Sequence, residues 1–520
     1  MAAADQPVRK VTIVGGGTAG WMVAGVLSRW LSQVEIRLVE SEEIGTIGVG
    51  EATIPHIRNY LALAGIDALK MIREAKATFK LGIQFVDWGA PGESYVHGFG
   101  KIGRDMLWLH PHQLWLAARE RAPGSVKHLD RYSLNCEAAL TNKFAFADPR
   151  NPNSPIASLD YAYHFDASLF ARFLRYECEA RGVKRVEGRI VDVVQHPETG
   201  FVDRVRLVDG REVDGDLFVD CSGGRALLIG GALGIGYEHW NEWLLCDRAQ
   251  AVPCESVSPL TPYTRSTAGR AGWQWRIPLQ HRIGNGYVYS SALLSDEQAA
   301  ETLLANIDGA PLADPRPVSF TPGRRHKVWE KNVLAVGLAS GFLEPLESTS
   351  IHLIQTAVHR LLALFPAAGF SAPDIDEFNR QTREEYEDVR DFIIAHYKVT
   401  RRSGDPFWDH VRTMEVPSSL AERLELFRSS GRFFKHSALE LFAEESWVQV
   451  LLGQGLEAKA DPVTQFVRDE ELLGFLADIA ETNAQVASTM ADHGAFVARL
   501  LAGSAAPAAA APDIRFNLRS

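Results

Sequence analysis

The chain opens on a short apolar run, Val11-Thr12-Ile13-Val14, within a segment 9–14 that reads as a buried strand. Gly15-Gly16-Gly17-Thr18-Ala19-Gly20 follows, and then a helical run from Trp21 to Leu31. A second strand over Glu35–Val39 ends at Glu40, twenty residues after Gly20. Strand, GxGxxG turn, helix, strand and acid in that order predict a Rossmann-like dinucleotide site. Gly15, Gly17 and Gly20 permit the turn and the close backbone approach, and the helix start at Thr18 and Ala19 receives a pyrophosphate. Glu40 is placed to hold a ribose hydroxyl pair.

Further along, a helix over about 167–181 leads to a strand over 183–194, and a hairpin is built from Val202–Val208 and Glu212-Val213 around Asp209-Gly210. An apolar strand over Asp216–Asp220 then ends in Cys221-Ser222-Gly223-Gly224. A later strand, Asn332 to Gly337, reads as a return strand that brings Gly337 and Leu338 to the flavin's ribityl region. This discontinuous plan is that of FAD-dependent oxygenases, and no second strand–GxGxxG–helix unit follows for NAD(P)H. The fold expected is therefore α/β, of FAD-dependent monooxygenase type. Its FAD module spans 1–365, with substrate-side insertions at about 90–165 and 240–325, and a helical cap follows over 366–502. The Ala/Pro-rich tail over 503–520 reads as linker.

Three segments carry candidate chemistry. An amphipathic helix over about 67–79 hands over to an alternating strand at Lys80, where pattern alone suggests a solvated helix end. Trp273 and Trp275, two apart in a strand, share one face, with Gln274 and Arg276 on the other. The run Gly341 to Ser350 precedes a helix with apolar positions Ile351, Ile354, Val358, Leu361, Leu362 and Phe365, stopped by Pro366. Ser348 to Ser350 should cap that helix, whose N-terminus is also an anion site.

Composition narrows the class without choosing the reaction. The 520 residues are 46% apolar and 23% charged, as in a globular protein. A net charge of −11 disfavours nucleic acid and anionic membranes as partners, and no apolar run is long enough to span a bilayer. Five cysteines with no CxxC pair argue against a disulfide framework and a metal site. With a short polar N-terminus and no signal-peptide pattern, a cytoplasmic enzyme is expected.

Trp273-x-Trp275-x-Ile277-Pro278 beside an FAD fold resembles the motif of the flavin-dependent tryptophan halogenases. The resemblance runs over about 9–455 and implies a reaction: FADH2 from a separate flavin reductase, O2, and chloride or bromide halogenate a small aromatic substrate. It implies that Trp273 and Trp275 form a barrier beside the flavin. Lys80 matches the lysine that guides hypohalous acid, as an ammonium donor or as a haloamine, and Glu347 matches the catalytic glutamate. Thr349 and Ser350 match the halide-binding backbone, although Ser350 stands where better-known members have glycine. Gly48-Val49-Gly50-Glu51-Ala52-Thr53-Ile54-Pro55 resembles the flavin-contacting strap, with Gly48, Val49, Gly50 and Ala52 as cofactor contacts. His97 and Phe99 resemble the substrate pocket, Trp447 is a candidate aromatic wall, and Glu344 is taken as structural. No tyrosine pair for gripping an amino acid is found near Leu441–Trp447, so free indole, an indole derivative or another electron-rich arene fits as well as tryptophan. A homodimer is expected from family habit alone. The rival readings are an aromatic hydroxylase on the same fold and a catalytically silent flavoprotein that binds an aromatic ligand.

Overall fold

The computed structural model describes residues 7–43, 50–148, 150 and 152–503. A six-stranded sheet forms the nucleotide side, in the order Trp329–Glu330, Val333–Ala335, Leu217–Asp220, Lys10–Val14, Glu35–Glu40, Lys184–Glu187. All neighbours are parallel except the Trp329–Glu330 edge. Parallel strands covered on both faces must be apolar throughout, and Val11, Ile13, Leu38, Leu217 and Val219 are fully or almost fully buried. The helix Thr18–Trp30 packs on this sheet beside the helix Ala167–Ala180, whose start is capped by the Asp166 carboxylate.

The strand expected over 183–194 is in fact two. Lys184–Glu187 joins the nucleotide sheet, and Ile190–Gln195 begins a separate three-stranded sheet with Val202–Leu207 and Glu212–Asp214. Gly188 lies between them at φ 154°, a left-handed value that redirects the chain. Apolar residues continue through the break because Val186, Ile190 and Val193 are each half-buried against the same core, so the pattern hid it.

A seven-stranded sheet makes the second layer, in the order Arg316–Ser319, Arg248–Cys254, Ile283–Tyr289, Gly272–Pro278, Thr264–Gly269, Gly82–Val86, Ser94–Gly98. The segments expected as separate insertions thus share one sheet. A small sheet, Gly50–Ala52 with Ala162–Asp166 and Thr78–Lys80, links the strap to Lys80. The C-terminal part is helical as expected, led by Ala372–Lys398 and Asp469–Thr489. An irregular segment over 431–443 interrupts it. Among the described residues no helix is long and apolar enough to cross a membrane. All five cysteines are buried and unpaired.

Candidate functional site

Between the two large sheets lies a cavity of about 520 Å³, within the range of cofactor sites. One end is lined by Gly15, Gly16, Gly17, Thr18, Ala19 and Glu40, the middle by Gly50, Glu51, Ala52, Gly337 and Leu338, and the other end by Trp275, Ile277, Ser348 and Ser350. Not every glycine of the turn is required for space. A Cβ on Gly15 would come within 2.2 Å of the Cys221 carbonyl oxygen, and one on Gly16 within 1.5 Å of Glu40 Oε2, whereas Gly17 faces open space. Gly20 does not line the cavity; its missing side chain lets the helix close on Gly15 O, which a Cβ would approach to 1.9 Å. The helix N-terminus at Gly17 has no side-chain cap, which leaves its N–H groups for an anion. Arg185 donates to Glu40 Oε1, fixing that carboxylate at the cavity rim. These features fit an adenine dinucleotide such as FAD. Gly48 and Val49 lie outside the described residues.

Lys80 is not a helix end. The helix stops at Glu74, Lys76 turns the chain at φ 52°, and Lys80 closes the strand Thr78–Lys80 with its side chain wholly buried. Its ammonium donates to Thr53 O at 3.0 Å and to Ser348 Oγ at 2.8 Å, and stands 5.3 Å over the Phe99 ring. Burial pulls its pKa down to about 7, opposed by the nearby charge of Glu347. Ser348 also lines the flavin-side cavity, so one residue connects that cavity to Lys80.

Ser348 to Ser350 do not cap their helix by side chains. Thr349 is the N-cap residue but makes no cap hydrogen bond, its buried hydroxyl has no partner, and it does not line the cavity. Ser348 is at φ 60°, turned so that its hydroxyl meets Lys80 instead. Ser350 opens the helix at the cavity wall.

Glu347 is buried between two imidazoles. His97 Nδ1 lies 3.0 and 2.9 Å from its two oxygens, and His396 Nε2 lies 2.7 Å from Oε1. His396 Nδ1 is 2.8 Å from the Phe392 carbonyl oxygen. Both nitrogens of His396 therefore face oxygens, one a carboxylate and one a backbone carbonyl. Burial would raise the Glu347 pKa, but His97 and His396 outweigh it and bring it to about 2. His97, expected in the substrate pocket, engages Glu347 through its Nδ1. His396 was not singled out at all, although its position four residues after Phe392 on one helix face was a usable signal.

Trp273 and Trp275 share a strand face as expected, with ring centroids 6.2 Å apart. Trp275 reaches the cavity wall, and its ring lies so close over Gly286 that a Cβ there would come within 2.1 Å. Trp273 Nε1 donates at 2.7 Å to Glu344, which also accepts from Tyr397 OH at 2.6 Å. Burial raises the Glu344 pKa to about 7 against those two hydrogen bonds.

Trp447 lies behind the chamber wall. It is fully buried between Phe392, Phe433 and the Arg423 guanidinium. The aromatics that face His97 are Phe392, with centroids 5.8 Å apart, and Phe442, at 6.4 Å, and the two stack on each other at 3.9 Å. Sequence reading passed over Phe442 because it sits in the irregular segment, where no periodicity marks a face. Glu444 opens a helix, half-buried, with an oxygen 3.4 Å from His110 Nδ1.

The tryptophan halogenase family model matches residues 10–469. The chain belongs to the tryptophan halogenase family. It is 35% identical over 450 residues to a tryptophan 6-halogenase from Streptomyces albogriseolus, covering 82% of this chain and 83% of that one. It is 34% identical to a tryptophan 7-halogenase from Lentzea aerocolonigenes, covering 81% and 82% of the two chains. Among solved structures, a flavin-dependent halogenase from Xanthomonas campestris superposes with a TM-score of 0.91 at 47% identity, covering 95% and 99% of the two chains. One from Brevundimonas sp. BAL3 does so at 0.90 and 45%, with the same coverage. The protein is accordingly a flavin-dependent halogenase: an FADH2- and O2-dependent oxidoreductase that halogenates an aromatic substrate and needs a separate flavin reductase.

Proposed function

We propose that the arene is a free indole or a comparable electron-rich ring without an amino-acid anchor, chlorinated or brominated beside Lys80. Bound and reduced, FAD supplies the electrons that activate O2 for oxidation of the halide to hypohalous acid. The glycine turn, Glu40, Gly50, Ala52, Gly337 and Leu338 hold the cofactor. Backbone N–H groups at Thr349 and Ser350 hold the halide at the start of their helix. Trp275 walls the cavity, with Trp273 behind it, and keeps the arene from the flavin. Ser348 guides the oxidant toward Lys80, whose ammonium already uses two N–H groups on Thr53 and Ser348 and presents a third to hypohalous acid. The ring binds beside Phe99 and Phe442, and Glu347, held ionised by its two histidines, assists the substitution and takes the ring proton.

The observation that carries this reading is the Ser348–Lys80 hydrogen bond, since Ser348 also lines the flavin-side cavity. An uncharged arene is favoured by the chamber's walls, where Phe99, Phe392 and Phe442 are apolar. The test supplies FAD, a flavin reductase, NADH and either halide with indole, substituted indoles, phenols and tryptophan, and reads products by mass spectrometry. Halogenated indole in excess over halogenated tryptophan is expected. Tryptophan as the better substrate would overturn the substrate assignment, and hydroxylated product without halide would overturn the reaction.

A further inference from the structure

Glu344 is a buried carboxyl that the halogenation reaction does not use, and it adjoins a row of closely spaced oxidisable rings. Trp275 stands at the cavity wall, Trp273 lies 6.2 Å from it, Trp88 6.4 Å from Trp273, and Tyr397 5.3 Å from Trp88, all measured between ring centroids. All four are buried, and no step in the row passes through solvent. Rings at such separations exchange electrons much faster than a single jump across the whole distance. One carboxylate can take a proton from the second ring of the row and from the last, since Glu344 Oε2 accepts from both Trp273 Nε1 and Tyr397 OH. Tyr397 OH donates to Glu344 Oε2 at 2.6 Å, and Glu344 Oε1 has no hydrogen-bond partner among the described residues.

We infer that Trp275, Trp273, Trp88 and Tyr397 form an electron-transfer path out of the flavin cavity, with Glu344, which accepts from both Trp273 and Tyr397, as its proton acceptor. This rests on the cavity holding FAD. The activity it implies is a light-driven one. When oxidised flavin in the cavity absorbs blue light, one electron passes to it from Trp275, and electrons from Trp273, Trp88 and Tyr397 refill the vacancies in turn. A tyrosine cation is a strong acid, so the phenolic proton moves to the Glu344 carboxylate as the electron leaves. The balance is one electron gained by flavin, one neutral tyrosyl radical, and one protonated Glu344. Loss of the proton stops the electron from returning quickly.

Tyr386 supplies the contrast. It also lines the cavity, but its hydroxyl meets only Ser340 Oγ, at 2.9 Å, and no carboxylate. The path therefore runs through the tryptophans and not through the tyrosine nearer the cofactor. The groups facing Glu344 are Trp273, Tyr397 and the Cys246 thiol, which lies 3.9 Å from Tyr397 OH. Because burial raises Glu344 to about 7, it accepts a proton well above that pH and poorly below it.

The test is flash excitation of the FAD-loaded protein without oxygen, followed by transient absorption. FAD affinity is measured first, so that a failure to bind cofactor is separated from a failure of the path. At pH 8.5, a tryptophan radical cation that gives way to a neutral tyrosyl radical is expected, with a tyrosyl yield that falls several-fold at pH 5.5. Tyr397→Phe should remove the tyrosyl signal and leave a tryptophan radical in its place. Trp88→Phe should remove the tyrosyl signal, and Tyr386→Phe should leave it unchanged. Tight FAD binding with no aromatic radical, or a tyrosyl signal that survives Tyr397→Phe, would overturn the inference. Melting temperature and FAD affinity of each variant show whether it has folded.

Discussion

Glu344 and Glu347 lie three residues apart, are equally buried, and have opposite electrostatics. Glu347 faces two imidazoles and Lys80, and its pKa falls to about 2. Glu344 faces an indole N–H and a phenol, both neutral, and its pKa rises to about 7. Burial is common to both; what differs is whether the donors carry charge. A short turn, Pro345–Glu347, is enough to point one carboxyl at the arene side and the other at the aromatic core.

The largest test of this contrast is substitution by the isosteric amide. Glu347→Gln should cost about 100-fold or more in halogenation, the range of a lost general base. Glu344→Gln, read in the same product assay with FAD affinity as control, should cost less than about threefold. Equal losses would erase the distinction. Next is the pH profile: Lys80 with a pKa of about 7 should give activity that declines as pH rises through 7, because the ammonium is the working form. A profile that climbs instead would assign the free amine, and with it a haloamine. Trp273→Phe removes one of the two donors to Glu344 and should lower unfolding free energy by about 1–3 kcal/mol, measured by denaturant titration. The smallest effect is on the pH dependence of stability. Glu344 is raised, so its contribution is greatest below about 4.5 and is lost as pH rises through about 7. Glu347 is depressed, so its contribution holds above 4.5 and is lost as pH falls toward 2. Melting curves of Glu344→Gln should lack the decline of the wild type between pH 5 and 8 and keep the acid limb.

The nucleotide half was legible because its rules are local. A strand, a glycine turn and a helix start are written in consecutive residues, and the cavity's first wall is built from that stretch. The spacing of Trp273 and Trp275 likewise gave their common face. The reaction chamber was less legible because its contacts are long-range: His97 meets Glu347 across 250 residues, and Lys80 meets Ser348 across 268. Lys80 looked like a surface residue because a helix pattern ran on past Glu74, and no local rule says that a lysine will be buried. Trp447 stands on a helix, while Phe442, which lies near His97, is in a segment with no period to read.

Gly286 sets a dimension that no side chain supplies. With only hydrogen there, the edge of the Trp275 ring closes against the strand Ile283–Tyr289 at the cavity wall. Adding one methyl group would force the indole off the sheet, with the cavity on its other side. The gauge of the flavin chamber, and so which cofactors and oxidant geometries it admits, is written in the absence of an atom on the neighbouring strand.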